Sequence, residues 1–167
     1  MNLTYINEWT DDEAREQFLR CCGSTRWSEL MAKLRPFDCE AALYEAADRI
    51  WWGLARDDWL EAFAAHPKIG DLDALRAKFP TTAAWSAREQ AGVDGAPDEL
   101  LRDLAAENHR YEARFGYIFI VCATGKTAEE ILRLLKERLS HDAETETQIA
   151  AGEQAKITRI RLEKTAP

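Results

Sequence analysis

Only one stretch of the chain has the composition of a β-strand, and it has nothing to pair with. The run "YIFIVCA", Tyr117 to Ala123, is rich in β-branched and aromatic residues. No other segment offers it a partner, and a lone strand is not stable in water. With 167 residues and 46% hydrophobic composition, the chain is long enough for one domain with a real core. Helices must supply that core. The expected fold class is therefore all-α, a single-domain helical bundle of about eight helices over residues 1–167. Tyr117 to Ala123 becomes a buried extended segment, or a short helix, between two long helices.

The helix signals agree. "TDDE", Thr10 to Glu13, is a capping box with Thr10 as N-cap. It opens a helix with Ala14, Phe18, Leu19 and Cys22 on one side and Gly23 as its stop. Trp27, Leu30, Met31 and Leu34 form the next stripe, closed by Pro36. Asp38 is placed to cap a third helix, whose inner face is Leu43, Ala46, Ala47, Ile50 and Trp51. A fourth runs from about Asp57 to Ala65 through Trp59, Leu60 and Phe63. Two short helices are expected around Asp71 to Lys78 and Thr82 to Gln90. Pro97 suits the first position of a long helix, Asp98 to Phe115, with Leu101, Leu104, Ala105, Asn108 and Tyr111 inside and Gly116 beyond its end. "TAEE", Thr127 to Glu130, is a second capping box, opening a helix to about Leu139. A last helix covers about Asp142 to Lys164.

Composition excludes several function classes. Net charge is −8 with no basic stripe, which argues against nucleic acid or an anionic membrane surface as partner. The longest apolar run is far too short to span a bilayer. The N-terminus has neither the basic start nor the apolar core of a secretory signal, so a cytoplasmic location is expected. The four cysteines, Cys21, Cys22, Cys39 and Cys122, form no C-x-x-C pair and read as reduced thiols. The three histidines, His66, His109 and His141, lack metal-ligand spacing, so no metal is expected. A Gly-rich phosphate loop, H-E-x-x-H and G-x-S-x-G are all missing.

Chemistry would then rest on dispersed side chains. His66 stands before Pro67 in "HPKIGD", at a helix end where backbone carbonyls favour a cation. Proline pushes the preceding residue out of the α region. His66 is either a helix-stop histidine or a reacting group. In "SAREQ", Ser86 to Gln90, adjacent Glu89 and Gln90 cannot share one helix face. One of them could point inward; otherwise the stretch is a solvated helix end. Arg161 continues the i, i+4 row Ile149, Glu153, Ile157 on the last helix. It either snorkels outward or meets an anion inside. The segment ending at Ala123 is either plain core or a stretch whose backbone N–H groups are open to a ligand.

Taken in order, "HPKIG", "SAREQAG", N-x-x-Y-x-x-x-FGYIF from Asn108 to Phe119, "RL" at Arg138 and Leu139, and "KITRIRL" from Lys156 to Leu162 resemble the 2-oxo-4-hydroxy-4-carboxy-5-ureidoimidazoline (OHCU) decarboxylases of uric acid breakdown. The resemblance runs from about Trp9 to Leu162. It implies a single all-α domain, a homodimer, no metal and no organic cofactor. It further implies that His66 is the catalytic histidine. Glu89 would bind ring and ureido N–H groups, and Arg161 would contact substrate oxygen. Pro67, Ser86, Ala87, Arg88 and Gln90 would contact substrate, as would Phe119, Ile120, Val121, Cys122 and Ala123, several through backbone. One departure is His141, where the family usually has asparagine. Two other readings are a related cofactor-free lyase on another ureido or imidazoline acid, and a non-enzymatic helical interaction module whose aromatics are only core.

Overall fold

The structure is a computed structural model that describes residues 3–66 and 98–165. Over these residues the chain forms eight α-helices and no strand: α1 (Leu3–Asn7), α2 (Asp11–Cys22), α3 (Thr25–Lys33), α4 (Glu40–Trp52), α5 (Arg56–Ala64), α6 (Asp98–Phe115), α7 (Ala128–Arg138) and α8 (Ala143–Thr165). The all-α expectation holds. The two short helices expected around Asp71 to Lys78 and Thr82 to Gln90, and Pro97, lie outside the described residues. The chain divides into two compact units, one of residues 1–65 with 154–167 and one of residues 66–153.

In the first unit the capping box reads out as expected. Thr10 Oγ1 accepts from the Glu13 N–H at 3.3 Å, and Glu13 Oε2 accepts from the Thr10 N–H at 2.8 Å. These bonds hold the Glu13 carboxyl below the usual carboxylate range. Gly23 ends α2 at φ 85°, a left-handed conformation that glycine adopts without steric cost, and donates to the Leu19 carbonyl at 2.7 Å. Ser24 then caps α3 through the Trp27 N–H. Three expectations shift. Leu19 is exposed, because the buried stripe of α2 is Ala14, Phe18, Cys21 and Cys22, and Leu19 lies about 100° round from Phe18. Leu34 is exposed because α3 has already ended at Lys33. The N-cap of α4 is Cys39 and not Asp38, and it makes no side-chain capping bond.

This unit is built on aromatic rings. Phe18 meets Trp9, Trp27 and Phe37 edge-on, with centroids 5.6, 5.9 and 6.5 Å away. Trp27 Nε1 donates to the Ala47 carbonyl at 3.0 Å, and Trp59 Nε1 to the Trp51 carbonyl at 2.9 Å. Each buried indole thus avoids an unpaired donor. All five described tryptophans, Trp9, Trp27, Trp51, Trp52 and Trp59, belong to this unit. From α8, Gln154 Nε2 donates to the Cys22 carbonyl at 3.0 Å.

In the second unit α6 packs against α7. Leu104, Asn108, Tyr111 and Phe115 are the buried face of α6, spaced i, i+4, i+7, i+11. Ala105 is exposed, against expectation, because it sits about 100° from Leu104 on this narrower stripe. Gly116 ends α6 at φ 80°. Thr127 caps α7 with the second capping box. Residues 118–123 are non-helical and run between α6 and α7, which selects the extended reading over the short helix. Asp142 caps α8, accepting from the N–H groups of Glu144 and Thr145 at 3.1 and 2.9 Å.

Candidate active site

His66 directly follows Ala65, whose N–H makes the closing bonds of α5 to the Ala62 and Glu61 carbonyls, both at 3.2 Å. The imidazole is partly buried. The helix therefore stops where a residue before proline requires it to stop. Pro67, Ser86, Ala87, Arg88, Glu89 and Gln90 lie outside the described residues.

Phe119, Ile120, Val121, Cys122 and Ala123 are all buried, none more than 7% exposed. Burial of a non-helical stretch leaves its backbone groups to find partners outside a helix ladder. Some do. The Ile120 carbonyl accepts from Arg138 Nη1 at 2.8 Å. The Cys122 N–H donates to Glu153 Oε2 at 2.7 Å, and the Cys122 carbonyl accepts from Lys126 Nζ at 2.7 Å. The Ala123 carbonyl accepts from the Lys126 N–H at 3.0 Å. Among the described residues, the N–H groups of Phe119, Ile120, Val121 and Ala123 engage no acceptor. Backbone donors held in a buried, non-helical stretch are what a ligand rich in carbonyl oxygen would use.

Arg161 does not snorkel. It is 6% exposed, on the buried side of α8. Its surroundings in the first unit include Cys21 and Cys22, and its positive charge favours their thiolates. Burial outweighs that effect and pushes the Cys21 thiol up to about 11 and the Cys22 thiol up to about 12. Ile149 and Glu153 are only partly buried while Ile157 and Arg161 are buried, so the i, i+4 row expected on α8 turns inward along the helix. The buried side of α8 also carries Glu146, Ala150 and Gln154.

That side holds what the sequence reading missed. Glu146 is fully buried, its carboxylate surrounded by Arg138, Tyr111 and His141. Arg138 Nε and Nη2 reach Glu146 Oε1 at 2.8 and 2.5 Å, the Tyr111 hydroxyl donates to the same oxygen, and His141 Nδ1 is 2.8 Å from Oε2. The Arg138 guanidinium lies 4.5 Å from the Phe119 ring centroid. Burial, reinforced by the bond to Glu146, raises the Tyr111 hydroxyl well above the ordinary tyrosine range. The available signal was periodicity: Ala150 and Ile157, four and eleven residues on, share a helix face with Glu146. Every buried side-chain nitrogen or oxygen among the described residues has a hydrogen-bond partner. Among the same residues, no three His, Cys, Asp or Glu side chains gather as metal ligands would.

Comparison with known proteins extends this picture. A family model described as OHCU decarboxylase matches residues 7–163. The chain is 37% identical over 145 residues to the uric acid degradation bifunctional protein TTL of Arabidopsis thaliana, covering 86% of this chain but only 44% of that protein's length. It is 31% identical to the 2-oxo-4-hydroxy-4-carboxy-5-ureidoimidazoline decarboxylase of Amia calva, over 98% of this chain and 93% of that one. Among solved structures, a crystal structure of an OHCU decarboxylase in the presence of (S)-allantoin is similar with a TM-score of 0.76 at 35% identity, covering 93% of this chain and 97% of the other.

Proposed function

The chain belongs to the OHCU decarboxylase family, and from that premise we propose that it decarboxylates OHCU stereoselectively to (S)-allantoin in uric acid breakdown. The observation that carries the proposal is similarity over nearly the full length to a family member crystallised in the presence of (S)-allantoin. The backbone N–H groups of the buried Phe119–Ala123 segment that have no acceptor among the described residues give it local support.

The substrate carries its carboxylate and a hydroxyl on one ring carbon, next to a C=N bond. Loss of CO2 leaves an electron pair that flows into that C=N and gives an enol-type intermediate. The substrate is its own electron sink, so the reaction calls for no organic cofactor or metal. The protein's task is to hold the carboxylate out of the ring plane and to place polar groups where charge develops. A proton must then reach the adjacent carbon from one face. In this reading His66 carries out the proton work, to which an imidazole titrating near neutrality is suited. Glu89 accepts from the ureido and ring N–H groups. Arg161 presents its donor fork to substrate oxygen. Pro67, Ser86 to Gln90 and Phe119 to Ala123 line the substrate, the last through backbone. We further propose one domain, a homodimer and a cytoplasmic location. No helix among the described residues is long and apolar enough to cross a membrane.

The test is direct. Freshly generated OHCU is added to the protein, and ultraviolet absorbance and the optical rotation of the product are followed. Fast decay to (S)-allantoin is expected. Decay at the buffer rate would refute the activity, and slow formation of racemic allantoin would point to a related lyase.

A further inference from the structure

We propose that Arg138 is a positioning residue for this reaction, one that holds the Phe119 to Ala123 segment in the conformation its substrate contacts need. The inference rests on the reading above that this segment binds substrate.

A buried guanidinium–carboxylate pair is weak evidence of added stability. Both ions lose their hydration, and an apolar replacement of similar volume is often neutral or better. The Arg138–Glu146 pair is deeply buried, with side-chain exposures of 6% and 0%. What distinguishes it is where the guanidinium's remaining capacity goes. Nε and Nη2 are spent on Glu146, which fixes the plane of the fork. Nη1 is thereby aimed at the Ile120 carbonyl, 2.8 Å away, and the cation sits over the Phe119 ring. Glu146 is itself held from two other elements, by the Tyr111 hydroxyl of α6 and by His141 ahead of α8. The cluster therefore ties α6, α7 and α8 to one carbonyl of the segment.

A second tether acts two residues on, where Glu153 takes the Cys122 N–H and Lys126 takes the Cys122 carbonyl. The ties fall on Ile120 and Cys122. Of the segment's N–H groups only that of Cys122 has an acceptor among the described residues; those of Phe119, Ile120, Val121 and Ala123 have none. The segment is gripped at the Ile120 carbonyl and at both backbone groups of Cys122, while its other N–H donors are kept out of internal bonds. A lysine at position 138 could neutralise Glu146, but its compact ammonium on a flexible stem could not reproduce the fork that also reaches Ile120.

The test begins with wild-type turnover of OHCU. Failure there removes the functional reading, while amide exchange of residues 119–123 in Arg138→Lys still reports on the tether. With wild-type activity in hand, Arg138→Lys is expected to fold, to exchange these amides faster, and to lose on the order of 10- to 100-fold in kcat/KM through misplacement of the segment. A raised KM and reduced enantiomeric excess of (S)-allantoin should accompany that loss. A loss confined to kcat, with KM and stereoselectivity unchanged, is what a smaller folded fraction produces and would overturn the proposal. So would wild-type kinetics in the folded variant. Should Arg138→Lys not fold, the charge-free triple variant Tyr111→Phe, Arg138→Met, Glu146→Leu carries the same test. Folded with raised KM and lost stereoselectivity, it supports the positioning role. Folded with wild-type kinetics, it overturns it.

Discussion

At the scale of single residues, the assignments separate by burial. His66 is partly buried at a helix end, so replacing it should not disturb a packed core. His66→Asn should keep its melting temperature and lose roughly 10²–10⁴-fold in decarboxylase rate, the usual size of a general acid–base contribution. A rate within a few-fold of wild type, measured on OHCU, would remove His66 from the mechanism. The thiols sort the same way. Cys39 is exposed, whereas Cys21, Cys22 and Cys122 are buried. In native protein near pH 8 a disulfide reagent should titrate Cys39 alone, and all four only after denaturation. The two raised thiols also set an alkaline limit. Their folded pKa values, about 11 and about 12, lie above the ordinary 9.0, so their contribution to stability is complete below pH 9. As pH rises beyond that, the unfolded chain sheds these protons first and the contribution is lost. Melting temperature should fall between pH 9 and 11, and less steeply in a Cys21→Ala, Cys22→Ala variant.

At the scale of elements, glycines at two helix ends make a contrast that can be measured. Gly23 and Gly116 both have positive φ, so an added side chain at either is strained by about 1–2 kcal/mol. At Gly116 a Cβ would meet nothing within 4 Å, but at Gly23 it would come within 2.7 Å of the Ala65 Cβ. Gly23→Ala should therefore lower stability in urea melts by clearly more than Gly116→Ala. Most of this layer was legible in advance. Both capping boxes, the Gly23 stop and the span of α6 follow from local rules that involve only a few neighbouring residues. The misses share a cause. Leu19, Leu34 and Ala105 are apolar residues at the margin of a stripe or past its end, and which margin is covered depends on the neighbouring helix. The Arg138, Glu146, Tyr111 and His141 cluster joins residues 35 positions apart at its widest. No local rule brings those together. Arg161 was flagged by its register among isoleucines, yet only the fold decides between the interior and solvent.

At the scale of the whole molecule, two expectations concern composition and assembly. Because the substrate accepts its own electrons, dialysis against EDTA should leave the decarboxylation rate unchanged. A loss restored by a divalent ion would mean that the site has been misread. Sedimentation equilibrium should give twice the chain mass if the homodimer is correct, and a single-chain mass would refute it. The segregation of aromatic side chains has a practical corollary. Because the five described tryptophans all lie in the unit built from residues 1–65 and 154–167, their emission is a native fluorophore for that unit, with Trp85 as the one further indole in the chain. Amide exchange over residues 98–153 reports on the other unit without any label. Followed together through a denaturant titration, the two signals compare the units' unfolding midpoints directly. Coincident midpoints are what a single cooperative transition requires, and separated ones would reveal a partly folded species.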